Sequence, residues 1–141
     1  MSESPPGYHA LMEAGVHSTV SRIVARAKDD PDVLAVILFG SHARGDATAG
    51  SDFDVCLVLA SDPPSRLSAA EKRLGYLPEG DVDLAVFQQL PLYIRSRVLK
   101  EGSVLFVRDE DALYALAIRT ARAWEAFRHI HRLYLDEVAR D

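Results

Sequence analysis

Residues 38–58 read LFGSHARGDATAGSDFDVCLV and contain a glycine–serine pair that is followed, after ten residues, by two aspartates. The pair is Gly40 and Ser41, the aspartates are Asp52 and Asp54, and the pattern is written GSx10DxD. Residues 33–39 are all apolar, and residues 53–59 are rich in β-forming side chains. Apolar runs of this length predict buried strands. The pattern is therefore predicted to occupy a loop between two buried strands.

The two aspartates of the pattern are predicted to act together. Successive side chains of a strand point to opposite faces, so Asp52 and Asp54 share one face. Two carboxylates side by side repel each other, and a divalent cation between them would remove that repulsion. Hard oxygen ligands suit Mg²⁺, which is usually held by a few carboxylates together with substrate phosphates. The spacing therefore predicts a Mg²⁺ site.

The glycine–serine pair is predicted to bind phosphate. Gly40 and Ser41 follow the end of the first strand, where a missing side chain lets the backbone approach a ligand. A hydroxyl and the free N–H groups of a following helical turn can hold phosphate oxygens. Arg44, three residues further on, either contacts a phosphate through its planar fork of donors or is an ordinary surface arginine, solvated or paired with Asp46. The sequence leaves both interpretations open.

The segments GSHARG at 40–45 and SDFDV at 51–55 resemble the polymerase-β-like nucleotidyltransferase superfamily, and within it the minimal nucleotidyltransferases. The similarity extends over residues 33–107. It implies the nucleotidyltransferase fold, ATP as the nucleotide donor, and Mg²⁺ bound by a carboxylate triad. The C-terminal portion resembles the tail of minimal nucleotidyltransferases that are paired with HEPN-domain ribonuclease toxins.

The third carboxylate of the triad is expected on a neighbouring strand. Residues 81–87 read DVDLAVF and predict that strand, with an aspartate that is costly among apolar neighbours unless it is compensated. By the resemblance, Asp83 completes the metal site with Asp52 and Asp54. Asp81 is the alternative, although its position beside Gly80 favours the turn.

Composition limits the class of protein. The chain has 141 residues, enough for one domain, with 48% hydrophobic and 26% charged residues. A net charge of −5 argues against bulk nucleic-acid binding through a basic surface. The single cysteine, Cys56, cannot form an internal disulfide. No apolar run is long enough to span a membrane and no signal peptide is recognisable, so we expect a cytoplasmic protein.

The remaining pattern predicts an α/β (α+β) domain. Residues 1–8 read as a loose tail, residues 9–108 as the catalytic core, and residues 109–141 as a C-terminal helical segment. Within the core, helices are predicted at residues 9–28, 66–74 and 91–101, and a fourth strand at 103–107. We expect a mixed sheet of about four strands, with helices covering one face and the carboxylates presented at the other.

The C-terminal segment predicts a long helix. Its apolar stripe repeats at steps of four and three nearly to the end of the chain. An unbroken helix would overhang its own domain and present Trp124, Phe127, Tyr134 and Leu135 to a partner, either another protein or a second copy. Alternatively, the helix breaks near residues 121–125 and folds back onto the core.

These features predict a Mg²⁺-dependent nucleotidyltransferase that moves AMP from ATP to a hydroxyl. Asp52, Asp54 and Asp83 would hold the metal, Asp83 would also accept the proton, and Gly40, Ser41 and Arg44 would contact the triphosphate. By the resemblance, the acceptor is a tyrosine of a partner HEPN toxin, and the chain is its antitoxin. The alternatives are a non-catalytic module that neutralises its partner by occlusion and an enzyme that acts on a small molecule.

Overall fold

The computed structural model describes residues 17–40, 43, 45, 53–76 and 82–139. Ser41, Arg44, Asp52 and Asp81, as well as the predicted N-terminal tail, lie outside these residues. The described elements follow in the order α1 (His17–Lys28), β1 (Val33–Phe39), β2 (Phe53–Leu59), α2 (Arg66–Gly75), β3 (Val82–Val86), a 3₁₀ turn (Phe87–Gln89), α3 (Leu92–Glu101), β4 (Ser103–Val107) and α4 (Glu110–Ala139).

The four strands form one mixed sheet in the order β3-β2-β1-β4. Strand β1 is antiparallel to both β2 and β4, whereas β2 and β3 are parallel. Phe39 at the end of β1 lies opposite Asp54, and Phe53 at the start of β2 lies opposite Val82. The end of β1 and the beginnings of β2 and β3 therefore meet at the same edge of the sheet. The predicted mixed sheet of four strands is confirmed.

Helices cover both faces of the sheet, so the expectation of helices on one face was wrong. On one face, Val20 and Ile23 of α1 and Ala69 of α2 pack against Val55 and Leu57 of β2. The opposite face carries Ile37, Cys56 and Val58, which are buried with residues of α3 and α4. The physical reason is that β1 and the second half of β2 are apolar at every position, and an apolar face must be covered on each side.

Arg108 directly follows β4 and connects the end of that strand to the C-terminus of α1 by hydrogen bonds. Its guanidinium donates hydrogen bonds to the backbone carbonyls of Ala27, Lys28, Asp30 and Val33 at 2.7, 3.1, 3.0 and 2.9 Å. The last carbonyls of a helix have no partner inside the helix. Arg108 supplies donors for them, and the positive charge also suits a helix C-terminus.

A second polar cluster joins α2 to the loop before β1. Tyr76 donates its hydroxyl proton to Asp30 at 2.6 Å, and the Lys72 ammonium lies 3.1 Å from Asp30 and 3.0 Å from Asp32. Burial raises the pKa of Asp30, but the hydrogen bonds from Tyr76 and Lys72 outweigh that effect, so the pKa lies below its ordinary value. The cluster holds α2 against the sheet.

Helix α4 is continuous over 30 residues, so the alternative in which it folds back was wrong. Asp109 caps its start, because its carboxylate accepts the Ala112 N–H at 3.1 Å. At about 1.5 Å per residue the helix spans roughly 45 Å, against a radius of gyration of about 14 Å for a globule of this length. Leu113 and Leu116 pack on the core, whereas every residue from 125 to 139 is exposed. None of the helices formed by the described residues has the length and apolarity needed to cross a membrane.

Candidate active site

Two of the three predicted carboxylates meet at one edge of the sheet. Asp54 of β2 and Asp83 of β3 are direct partners in the parallel register. Paired residues of neighbouring strands point to the same face, and the strands are about 4.8 Å apart. Asp54 is half-buried, and the Asp83 side chain is 65% exposed. Both carboxylates therefore lie on the face that also carries Cys56, where a ligand from solvent can reach them.

Gly40 lies against the Asp54 carboxylate. Its φ is +77°, which L-residues with a side chain rarely adopt. A Cβ built on Gly40 would collide with Oδ2 of Asp54. Glycine is therefore required here for two reasons, the backbone conformation and the space. The result is that the backbone at the end of β1 directly adjoins one of the two carboxylates.

The other predicted site residues fall in the part of the chain that is not described. Asp52, Ser41 and Arg44 have no described position, nor has the alternative carboxylate Asp81. Within residues 17–40, 53–76 and 82–139, no group of three metal-ligating side chains occurs. The geometry thus brings together Asp54, Asp83 and Gly40. The positions of the remaining three site residues stay sequence predictions.

Arg73 of α2 approaches the exposed carboxylate from the outer edge of β3. Its Nε donates a hydrogen bond to the Leu84 carbonyl at 2.8 Å, and its Nη2 lies 4.0 Å from Oδ1 of Asp83. The bond to the backbone fixes the guanidinium beside the strand, and the longer contact places a positive charge next to Asp83. Sequence reasoning assigned Arg73 only to a short helix, because no local pattern reveals how α2 docks on β3.

A small cavity adjoins Gly40. It has a volume of about 140 Å³ and is lined by Phe39 and Gly40 of the sheet edge together with Ile94, Arg97, Val98 and Glu101 of α3. The Arg97 guanidinium lies 3.6 Å from the Glu101 carboxylate. Sequence reasoning missed both charged residues, since they reach the site only through the packing of α3 on β1.

Cys56 does not extend the site, although it follows Asp54 on the same face. Its side chain is fully buried, and burial raises the pKa of the thiol above its ordinary value. A neutral buried thiol is neither a nucleophile nor a good metal ligand.

The described donors fit a hard divalent cation. Asp54 and Asp83 present carboxylate oxygens from adjacent strands, and Mg²⁺ prefers oxygen ligands and is commonly bound through one or two carboxylates plus substrate phosphates. The backbone of Gly40 lies directly against Asp54, where a Cβ would collide with the carboxylate. The same residues offer no set of soft ligands, so sulfur-preferring metals are not favoured.

Comparison with known proteins identifies the family to which this region of the chain belongs. The family model described as polymerase beta, nucleotidyltransferase matches residues 21–111, a range that includes Gly40, Asp54 and Asp83. A curated relative from Methanocaldococcus jannaschii, named "Putative protein adenylyltransferase MJ1547", is 36% identical over 74 residues. That alignment covers 52% of this chain and 56% of the relative, so the chain spans about half the length of the curated protein that it matches.

Solved structures share the fold at low sequence identity. A chain in the crystal structure of a toxin-antitoxin with AMP-PNP superposes with a TM-score of 0.62 at 18% identity, over 86% of this chain and 96% of that chain. A chain in the structure of a tri-AMPylated Shewanella oneidensis HEPN toxin in complex with an MNT antitoxin gives 0.59 at 18% identity, over 86% and 93%. With the family model matching well over half of its residues, this chain belongs to the polymerase beta nucleotidyltransferase family.

Proposed function

We propose that this chain is a Mg²⁺-dependent adenylyltransferase that transfers AMP from ATP to a tyrosine hydroxyl of a partner HEPN-domain toxin, as the antitoxin of the pair. The observation that carries the proposal is the register pairing of Asp54 with Asp83 beside the Gly40 backbone. Membership of the nucleotidyltransferase family supports the reaction class. The adenylyltransferase name of the archaeal relative supports AMP as the transferred group.

The proposed reaction assigns a separate task to each part of the site. The acceptor oxygen attacks the α-phosphorus of ATP, the bond from that phosphorus to the bridging oxygen breaks, and pyrophosphate leaves. Asp83, the more exposed carboxylate, takes the hydroxyl proton. Gly40 and Ser41 hold the outer phosphates through backbone N–H groups and a hydroxyl, with Arg44 as a further cation.

Asp54 and Asp83, with Asp52 from the adjoining segment, would hold Mg²⁺. Bound there, the metal supplies positive charge that offsets the negative charge of the triphosphate. Arg73 keeps Asp83 in place from the outer edge of β3, since it is bonded to the Leu84 carbonyl and lies 4.0 Å from the carboxylate.

The exposed half of α4 supports a protein acceptor. Trp124, Phe127 and His131 form a stack along the helix, with ring centroids 5.6 and 5.8 Å apart. Phe127 is 51% exposed, and Ile130, Leu133, Tyr134 and Leu135 continue the apolar surface. Contiguous exposed aromatic and aliphatic side chains are typical of a protein interface. Chains with the same fold occur in crystal structures of toxin–antitoxin complexes, one of them with a HEPN toxin. On this basis we propose a HEPN toxin as the partner.

The test is to incubate the chain with ATP, Mg²⁺ and the product of the adjacent reading frame, and to measure intact masses. Each transferred AMP adds about 329 Da to the acceptor, as expected for phosphoryl transfer to a hydroxyl. We expect the wild type to modify a tyrosine, and Asp54→Asn to fold and bind the partner without modifying it. Full transfer by Asp54→Asn would contradict the assignment of Asp54.

The same experiment separates the proposal from neutralisation by occlusion. A stable complex whose partner keeps its unmodified mass in the presence of ATP and Mg²⁺ would support a binding module. Modification of a small molecule, with the partner left unchanged, would instead support an enzyme with a different acceptor.

A further inference from the structure

A groove between α3 and α4 shares two lining residues with the small cavity beside Gly40. It has a volume of about 560 Å³, and its lining includes Tyr93, Ser96 and Lys100 of α3 and Trp124 of α4. Arg97 and Glu101 line both this groove and the small cavity beside Gly40. The two spaces therefore adjoin at one ion pair. We refer to the larger space as the interhelical groove.

The ion pair at the junction is weak enough to open. The side chains of Arg97 and Glu101 are 56% and 37% exposed, and their charged atoms are 3.6 Å apart. Exposed pairs at this helical spacing contribute about 0.3–0.5 kcal/mol. The direct attraction between the two side chains is therefore small, and an incoming polar group can compete for Arg97. A bound chain that reaches Gly40 from the interhelical groove has to displace this pair.

The charges of the interhelical groove favour an occupant with an acidic residue. Arg97 is paired with Glu101, and Arg128 is paired with Glu125 at 3.0 Å. Lys100 also lines the groove, and no ion pair to it is found in the part of the chain that the structure describes. The groove therefore has one surplus positive charge, although the whole chain has a net charge of −5.

The far end of the interhelical groove is aromatic. Tyr93 and Trp124 have ring centroids 6.5 Å apart at an interplanar angle of 40°. Trp124 is half-buried and also stacks on Phe127, so it belongs both to the groove and to the exposed surface of α4. A protein bound to that surface would therefore have immediate access to the groove. This continuity favours a polypeptide over a free nucleotide as the occupant.

The length of the interhelical groove fits a short extended segment. From Tyr93 to Glu101 the helix rises about 12 Å, at about 1.5 Å per residue. An extended chain rises about 3.3 Å per residue, so roughly four residues span this distance.

We propose that the interhelical groove binds an extended segment of the acceptor protein and directs its hydroxyl side chain past Arg97 and Glu101 to Gly40. The segment carries an apolar or aromatic residue at Trp124 and an acidic residue at Lys100, and the modified residue lies about four residues away from the first of these. This assignment rests on the proposed function, because it names the path of the acceptor to the same site.

The kinetic test uses the partner HEPN-domain protein as the varied substrate. Lys100→Glu and Trp124→Ala are expected to raise the KM for this acceptor at least about tenfold, which corresponds to about 1.4 kcal/mol. The KM for ATP should stay unchanged. Matched controls are Lys28→Glu, the same charge change on exposed α1, and Tyr114→Ala, an aromatic residue of α4 that is 70% exposed and lies outside the groove lining. Both controls should leave the two KM values at the wild-type level.

A binding test decides the assignment even if no AMP is transferred. A photo-crosslinking p-benzoylphenylalanine replaces Ser96 in the groove or, as the control, the exposed Ala115 of α4, and the complex is irradiated without ATP. Crosslinking from position 96 to one extended segment of the partner is expected, with much less from position 115. Equal labelling from both positions, no labelling from position 96, or an effect of Lys100→Glu on the KM for ATP alone would overturn the proposal. Absence of AMP transfer by the wild type, with the crosslink retained, would contradict only the proposed function.

Discussion

Asp54 and Asp83 lie opposite each other in the parallel register of β2 and β3. The two carboxylates are 29 residues apart in the sequence, yet they share one face of the sheet at the same end of the two strands. Their separation by a single inter-strand spacing would leave two negative charges close together in the apo protein. A bound cation relieves this repulsion. Arg73 offsets part of the charge at Asp83, and the two carboxylates together offer oxygen ligands to a divalent cation.

Asp83→Asn is expected to abolish most of the transfer activity and leave the fold intact. The amide cannot accept the acceptor proton and is a poorer ligand for Mg²⁺, so kcat should fall at least about a hundredfold. Because the side chain is exposed, the free energy of unfolding should change by less than about 0.5 kcal/mol. The measurements are AMP transfer and chemical denaturation, with Asp111→Asn on exposed α4 as the charge-matched control. Unchanged kcat in Asp83→Asn would remove Asp83 from the mechanism.

Gly40→Ala and Gly45→Ala separate backbone strain from contact with the carboxylate. Both glycines have positive φ, +77° and +80°, so each alanine variant should lose about 1 kcal/mol of stability from that conformation. Only at Gly40 would the added methyl group collide with Asp54, since nothing lies within 4 Å of a Cβ at Gly45. We expect thermal denaturation to show the larger loss of stability in Gly40→Ala, and Mg²⁺-dependent transfer to fall mainly in that variant. Similar activity losses in both variants would mean that the contact with Asp54 has no role.

Tyr76→Phe tests the cluster that holds α2. At neutral pH the variant should lose about 1 kcal/mol, because Asp30 loses a hydrogen bond to its charged form. The folded-state pKa of Asp30 lies below its ordinary value of 3.8, so this stabilisation is present above that pH and is lost as the pH falls through the folded-state pKa. The difference between wild type and variant should therefore shrink below about pH 4. Urea denaturation at neutral and acidic pH measures the free energy of unfolding of both proteins, with Tyr114→Phe as the control. A difference that is independent of pH would indicate packing instead.

Phe127→Glu is expected to weaken partner binding without destabilising the free chain. The side chain is 51% exposed and its ring stacks on two residues of the same helix, so unfolding of the isolated chain should shift by less than about 0.5 kcal/mol. If Phe127 is central to the interface, the Kd for the partner should rise about thirtyfold, or about 2 kcal/mol. Calorimetric titration measures it. Leu67→Glu, a 68% exposed leucine on α2, should leave the Kd unchanged. Equal weakening by both variants would point to a general charge effect.

The strands were predictable from the sequence because their apolar runs are continuous and end at polar loops. Residues 33–39, 53–59 and 103–107 have the predicted bounds. A continuous apolar run also predicts that both faces of the strand are covered. A strand with one solvent-exposed face would instead alternate between apolar and polar residues. The expectation of helices on one face was wrong because β1 is apolar on both of its faces, and each face needs a covering layer. The unbroken α4 was similarly open to prediction, as residues 110–139 contain neither glycine nor proline.

Only the part of the candidate site that lies on the strands and their loops was predictable from the sequence. Asp54 and Gly40 follow from a pattern within one loop, and Asp83 follows from the family resemblance together with its place in a predicted strand. The side chain of Asp83 is 65% exposed, so the expected cost of burying its charge does not arise. Arg73, Arg97 and Glu101 reach the site because helices dock on the sheet, and docking depends on side chains distributed over the whole chain. No local spacing encodes such contacts. Residues of this kind are found only once the packing is known.

Strand β3 is the outermost strand on its side of the sheet, has only five residues, and carries Asp83. Among the described residues no further strand pairs with its outer side, and the Arg73 side chain is bonded there to the Leu84 carbonyl. Short border strands open more readily than central ones, so their amide protons exchange with solvent sooner. Catalytic competence would then be lost by local detachment of β3 well before the remaining sheet melts. Heat inactivation of this chain should accordingly precede its cooperative unfolding.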